Sequence, residues 1–179
     1  MIMKPYKLIV VFLGVVAVIV AYCYFDSREM ITNVNSYEKV LGVDGKYKEN
    51  HETYNDIFPD VIPEGANVEE FRYFYYNPWD ACYLGYLVYT CDEATYAAEH
   101  ERLLAIKSSE EKYIYGATEF PYELCAVYAG DYGYIYALAD EENKRLVYVE
   151  LQFCNGFTDI DYEKYIDAKY LPVGFDAGN

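Results

Sequence analysis

The stretch VEEFRYFYYNPWDACYLGYLVYT, residues 68–90, decides how this chain folds. Across Val68–Tyr76 the side chains alternate. Phe71, Tyr73 and Tyr75 fall on one face of an extended strand, and Glu70, Arg72, Phe74 and Tyr76 on the other. Aromatic residues favour such a pleated, half-buried surface. Asn77-Pro78-Trp79-Asp80 reads as a turn, because Asn and Pro preset the backbone for one. ACYLGYLVYT resumes as a second strand, so 68–76 and 81–90 pair as an antiparallel hairpin. Thr90 or Asp92 then caps a helix, and Thr90 with Glu93 three residues on fits a capping box. This helix is expected from about Glu93 to Lys107, with Tyr96, His100, Leu103 and Leu104 forming one stripe for the sheet.

Downstream, KYIYG (112–116) reads as a short strand, and Phe120-Pro121 breaks the chain before a meander. Its strands are YELCAVYA, YIYALAD and RLVYVELQF, separated by turns at Gly130–Gly133 and Glu141–Lys144. In the last strand Val147, Val149, Leu151 and Phe153 alternate with Tyr148, Glu150 and Gln152, the pattern of a strand with one buried face. Asn155-Gly156 ends it, and Asp159 or Asp161 starts a short C-terminal helix to about Tyr170, stopped near Pro172. The order β-β-α-β-β-β argues for an α+β fold: an antiparallel sheet with one long helix packed on one face. The other face is then open to solvent or to a partner.

Upstream of the hairpin lies an arm, residues 26–67. Ser36 is placed to cap a short helix, Tyr37–Leu41, stopped by Gly42. Asp44-Gly45 is a turn, and Lys46–Asn67 is irregular, with a helical turn at Asn55–Phe58 before Pro59. Pro59 and Pro63 bracket Val61 and Ile62, which pin the arm to the core. Before the arm, LIVVFLGVVAVIVAYCYF (8–25) carries no charge. As a helix it spans about 27 Å against a ~30 Å hydrocarbon core, and reads as a transmembrane signal anchor. Lys4 and Lys7 before it outweigh Arg28 after it, which orients the N-terminus inward. The expected organisation is a cytoplasmic N-terminus (1–7), an anchor (8–25), a juxtamembrane arm (26–67) and an extracytoplasmic α+β domain (68–179) of a single-pass cell-membrane protein. A cleaved secretory signal, a lipoprotein signal with Cys23 lipidated, and a buried core helix are the other readings of the same segment.

The chain carries a formal charge of −16, and all 30 Asp and Glu lie beyond residue 25. Affinity for phosphate needs clustered Lys and Arg, so nucleic acid is excluded as a partner. Such charge serves solubility, and it attracts cations or a basic partner. Tyrosine is unusually frequent, 24 residues, of which all but Tyr6, Tyr22 and Tyr24 lie beyond the apolar segment. Tyr packs its ring while keeping its hydroxyl wet, which suits both sheet faces and recognition surfaces. Of the cysteines, Cys23 belongs to the apolar segment. Cys82, Cys91, Cys125 and Cys154 are open to being free buried thiols or to pairing in any of three connectivities. No CxxC spacing calls for zinc.

No catalytic residue, metal site or cofactor motif emerges. His100 reads as a packing residue in the helix stripe and His51 as surface. A Cys–His pair, Cys82 or Cys125 with His100, is arithmetically possible with no spacing to support it. Asp159, Asp161 and Glu163 imitate the start of a calcium loop, but Lys164 stands where Gly is needed and Tyr170 where the bidentate Glu is needed. There is no G-x-S-x-G elbow and no Gly-rich phosphate loop. The sequence therefore points to a non-catalytic module that binds a protein or small ligand through a Tyr-rich open sheet face, or to a subunit of an envelope complex. Its contact patch is placed at Tyr75, Tyr76, Trp79 and Tyr83, and its tyrosines also suit stacking on sugars. The alternative is a cell-surface carboxylate-dependent hydrolase, which requires two acids converging in a cleft with at least one pKa raised by burial. The expected partners are the membrane through residues 8–25 and an unidentified protein or small ligand.

Overall fold

The computed structural model describes residues 5–26, 28–50, 53–77, 81–153 and 160–177. In chain order its elements are α1 (Pro5–Asp26), β1 (Arg28–Ile31), α2 (Tyr37–Leu41), β2 (Glu49–Asn50), β3 (Thr53–Tyr54), β4 (Asn67–Tyr76), β5 (Cys82–Thr90), α3 (Glu93–Leu104), β6 (Glu123–Gly130), β7 (Gly133–Asp140) and β8 (Arg145–Gln152). β2 and β3 form a small ribbon of their own, and the other six strands make one antiparallel sheet in the order β1-β4-β5-β8-β7-β6. β8 inserts between the β4–β5 hairpin and the β6–β7 hairpin, pairing Tyr86 with Val149 on one side and Val149 with Tyr136 on the other. At the end of these strands Arg145 bonds both Glu69 of β4 and Asp140 of β7, each at 3.0 Å.

The sheet has no open face among the described residues, which corrects the expectation of one solvated side. On one face lie Tyr37, Val40 and Leu41 of α2, Tyr47, Ile57 and Phe58 of the arm, and Tyr96 and Leu103 of α3. On the other lie Ala117 and Phe120 of the α3–β6 connection and Ile160, Ile166, Tyr170 and Ala177 of the C-terminal segment. All eight residues of β7 are consequently buried. Tyr134, Tyr136 and Leu138 point into the C-terminal layer, and Ile135, Ala137 and Ala139 into the helical one. The tyrosines read as an open recognition face are instead much of the core. Tyr73, Tyr89, Tyr134, Tyr136 and Tyr148 are all fully buried, and the hydroxyls of Tyr89, Tyr134, Tyr136 and Tyr148 each find an internal partner.

Those hydroxyls explain where local readings of the sequence depart from the structure. Residues 112–116 form no strand: the Tyr134 hydroxyl accepts from Ile114 N at 2.7 Å and donates to Lys112 O at 3.0 Å, satisfying the backbone that a strand partner would have taken. An isolated bridge, Glu119 to Val173, and a hydrogen bond from Asp176 N to Tyr115 O at 2.8 Å tie this connection to the C-terminal segment. The C-terminal helix is replaced by two 3-10 turns, Tyr162–Lys164 and Ala168–Tyr170, and residues 55–58 make no helical turn. Asp92, not Thr90, caps α3 by accepting from Ala94 N and Thr95 N, and Ser36 makes no side-chain cap to α2. Leu104, expected in the buried stripe, is exposed. The outer edge of β6 is closed without another strand, since Val127 N donates to Ser108 Oγ and Ala129 N to Ser109 Oγ, both at 3.0 Å. Cys82, Cys91 and Cys125 are free thiols, and Cys154 lies outside the described residues.

Among the described residues no helix is long and apolar enough to cross a membrane. This overturns the expected transmembrane helix over residues 8–25, and with it the signal-anchor reading and the single-pass, N-terminus-inside, extracytoplasmic placement. The fold that remains is a six-stranded antiparallel sheet with a few helices.

Candidate functional site

Of the four residues singled out as a contact patch, the three that are described, Tyr75, Tyr76 and Tyr83, do not share one face of the sheet. Tyr75 and Tyr83 face each other across β4 and β5, half-buried, their ring centroids 5.4 Å apart. Tyr47, from a part of the arm that carries no sequence signal beyond the preceding Asp44-Gly45 turn, stacks on Tyr75 at 5.0 Å. Its hydroxyl donates to Glu29 of β1, so this cluster fastens the arm and β1 to the sheet. Tyr76 points to the opposite face, buried, with the Arg28 guanidinium 4.3 Å above its ring. Trp79 and His51 lie outside the described residues.

Helix α3 carries a polar network on the side facing the arm. Arg102 clamps Glu99 with Nε at 2.8 Å and Nη2 at 2.7 Å. It also donates to Asp56 O and Ile57 O, both at 2.7 Å. The buried Tyr148 hydroxyl donates to Glu99 at 2.7 Å and lies 3.0 Å from the Tyr89 hydroxyl. Tyr128 donates to Asp56 Oδ1 at 2.7 Å. Beneath the arm, Glu150 is fully buried and accepts from Asn55 Nδ2 at 3.3 Å. Gly85 leaves room for it, since a Cβ there would meet Glu150 Cβ at 3.1 Å and Phe58 Cζ at 3.2 Å. These groups are partnered, and a partnered buried network stabilises a fold without asking for a ligand.

Three buried side-chain atoms among the described residues are not partnered: Tyr96 Oη, His100 Nε2 and Gln152 Oε1. Leaving a buried polar group unmet costs about 1–3 kcal/mol, a cost that a water or ligand reaching the atom would remove.

Gln152 lies where β8 meets the β6–β7 turn. It lines a concavity of about 260 Å³ together with Ser109, Tyr128, Tyr132 and Gly133. Gly130 joins this hollow to a larger one of about 740 Å³, walled by Tyr113, Tyr115, Glu111 and Asp131. Tyr113 and Tyr132 are each 49 % exposed, so both reach the surface of the hollows. The wall is rigid. Tyr115 holds a left-handed backbone with φ 50 next to Gly116 at φ 77, and its hydroxyl donates to Asp131 O. None of these residues stood out in the sequence, because nothing in spacing shows that 109–118, 128–133 and 152 converge.

Tyr96 and His100, one turn apart on α3, stack at 5.8 Å and 9° and face β6. There Glu123 and Cys125 join them, with the His100, Glu123 and Cys125 ligand atoms all within 4.8 Å of one another. The His100 Nε2–Glu123 Oε2 contact is 3.2 Å, but it lacks hydrogen-bond direction, which leaves Nε2 unmet. Burial, and then the Glu123 charge, push the Cys125 thiol up to about 12. The Tyr96 phenol is likewise pushed up to about 12 by burial, then by Cys125 and Glu123.

A carboxylate hydrolase would need an acid held protonated. Glu29 is shifted the other way, drawn down by its bonds to Lys46 and Tyr47. So is Asp92, drawn down by the α3 N-terminal amides and hydroxyl of Thr95. Asp140 and Asp167 are pushed up by burial but brought down on balance, Asp140 by Asn143 and Arg145 and Asp167 by Lys169. Set against protein-family models, curated proteins and solved structures, the chain matches none of them.

Proposed function

We propose that this domain is a non-catalytic binding module, and that its recognition site is the pair of adjoining hollows at the β6–β7 turn. The observation that carries this reading is Gln152: a buried carbonyl oxygen, unmet by any protein donor, in a hollow rimmed by tyrosines. The larger hollow has the size of a small-ligand site. Exposed Tyr rings offer flat apolar faces, and Glu111, Asp131 and Gln152 offer acceptors. That combination suits a neutral, hydroxyl-rich ligand such as a short carbohydrate, whose C–H face stacks on Tyr113 or Tyr132 while its hydroxyls donate to the acceptors.

The test is a titration of the protein with a panel of neutral oligosaccharides, read by NMR shift changes and by thermal unfolding. Binding is expected to perturb the amides of 109–118 and 130–133. Gln152→Met is expected to abolish binding and also to raise unfolding stability by about 1 kcal/mol, because the orphan acceptor is replaced by an apolar chain of similar volume. Binding that survives Gln152→Met, or perturbations confined to another surface, would remove the site from consideration.

A further inference from the structure

We infer that His100, Glu123 and Cys125 form a zinc(II) site that ties helix α3 to the edge strand β6. Three independent features converge on it. The donor set, one imidazole, one thiolate and one carboxylate, is a zinc set, and soft sulfur with imidazole disfavours calcium and magnesium. The spacing is close to what the ion needs. Bonds of ~2.0–2.3 Å place tetrahedral ligand atoms about 3.3–3.7 Å apart. Here the three atoms already lie within 4.8 Å, and the Glu123 side chain, 51 % exposed, is free to swing and close the remainder. The third feature is the unmet polarity. Tyr96 is 5 % exposed and its hydroxyl makes no hydrogen bond, and His100 Nε2 makes none despite lying 3.2 Å from Glu123 Oε2. An ion takes up the Nε2 lone pair directly, and a water would complete the fourth position.

The backbone explains how Glu123 and Cys125 reach the same point. The β6–β7 ladder slips between Leu124 and Ala126, so Cys125 is the extra residue of a bulge. Bulges re-aim a side chain that the pleat would otherwise fix. This bulge sits opposite His100, at the far end of β6 from the tyrosine hollows. On binding, the Cys125 thiol yields its proton to solvent and the thiolate coordinates the metal. The other described cysteines, Cys82 and Cys91, are outside this cluster.

The experiment is a titration of the reduced full chain with cobalt(II) and then zinc(II), followed by absorption spectroscopy and thermal unfolding. One equivalent of cobalt is expected to bind with a sulfur-to-cobalt charge-transfer band in the near ultraviolet, and zinc to displace it. Cys125→Ala is expected to lose the band, and Cys91→Ala to keep it. Zinc is expected to raise the unfolding temperature of the wild-type chain but not of Cys125→Ala. Glu123→Gln leaves packing intact because the side chain is half exposed. It is expected to weaken zinc about tenfold or more, since even the loss of an outer-shell partner costs 10–100-fold. Absence of the band, its persistence in Cys125→Ala, or an unchanged affinity in Glu123→Gln would each overturn the site.

Discussion

Helix α3 presents two polar clusters one turn apart, and they differ in a single respect. Toward the arm, Glu99 and Arg102 meet Tyr148, Tyr89 and the carbonyls of Asp56 and Ile57, and every one of these groups has a partner. Toward β6, Tyr96 and His100 stack on each other but leave Oη and Nε2 unmet. The first cluster holds the arm to the sheet. The second resembles it in burial and composition but is incomplete without a further atom. Saturation, not polarity or burial, separates a structural network from a site in this molecule.

The comparison can be broken by substitution. The largest effect is expected at Arg102→Ala, which leaves Glu99, with only 11 % of its side chain exposed, without its counter-charge. A loss of about 3 kcal/mol in urea unfolding is expected, toward the lower end for broken buried pairs because Arg102 is itself over a third exposed. Next come two chemically identical changes with opposite expected signs. Tyr148→Phe removes a hydroxyl bonded to Glu99 and Tyr89 and is expected to cost about 1–2 kcal/mol. Tyr96→Phe removes an orphan hydroxyl and, with chelator present, is expected to be neutral or to stabilise by up to about 1 kcal/mol. A Tyr96→Phe variant as damaged as Tyr148→Phe would show that the two clusters do not differ as described.

The smallest effect sharpens the picture at the arm. Glu29 is held below its ordinary value of 4.5 by Lys46 and Tyr47. A carboxyl with a lowered folded pKa contributes stability that is present above the unfolded value and is lost as pH falls through the folded one. The chain is therefore expected to lose stability as pH falls below that ordinary value of 4.5, with Glu29→Gln flattening part of the slope. An identical slope in the variant would remove Glu29 from the account.

Much of the framework was legible because it rests on local rules. The alternation across 68–90 and 145–153, and the Gly130–Gly133 and Glu141–Lys144 turns, mark β4, β5, β6, β7 and β8 within a residue or two. An acidic cap before Glu93 marks the start of α3. What alternation cannot show is how many layers cover a sheet. Val147, Val149 and Leu151 read as a buried face and Tyr148, Glu150 and Gln152 as a wet one. In the folded chain both sides of β8 are sealed, one by the arm and α3, the other by the C-terminal segment. Tyrosine concealed this, since the same residue serves an exposed rim and a core whose hydroxyls are internally bonded. The 8–25 segment misled in another way: hydropathy invites a membrane reading, and among the described residues no helix is long and apolar enough to cross a membrane.

Local patterning in the chain marks five of the strands, from period-two alternation, the start of α3, from its cap, and an acidic composition. Those properties depend on neighbours within a few residues. Only the tertiary structure decided which side chains meet. His100 and Cys125 are brought together by the packing of α3 on β6 and by a bulge in that strand. Gln152 is left unmet at the tyrosine hollow because three separate segments converge around it. A site is a coincidence in space of residues distant in sequence, and spacing along a chain carries no record of where the sheet will fold them.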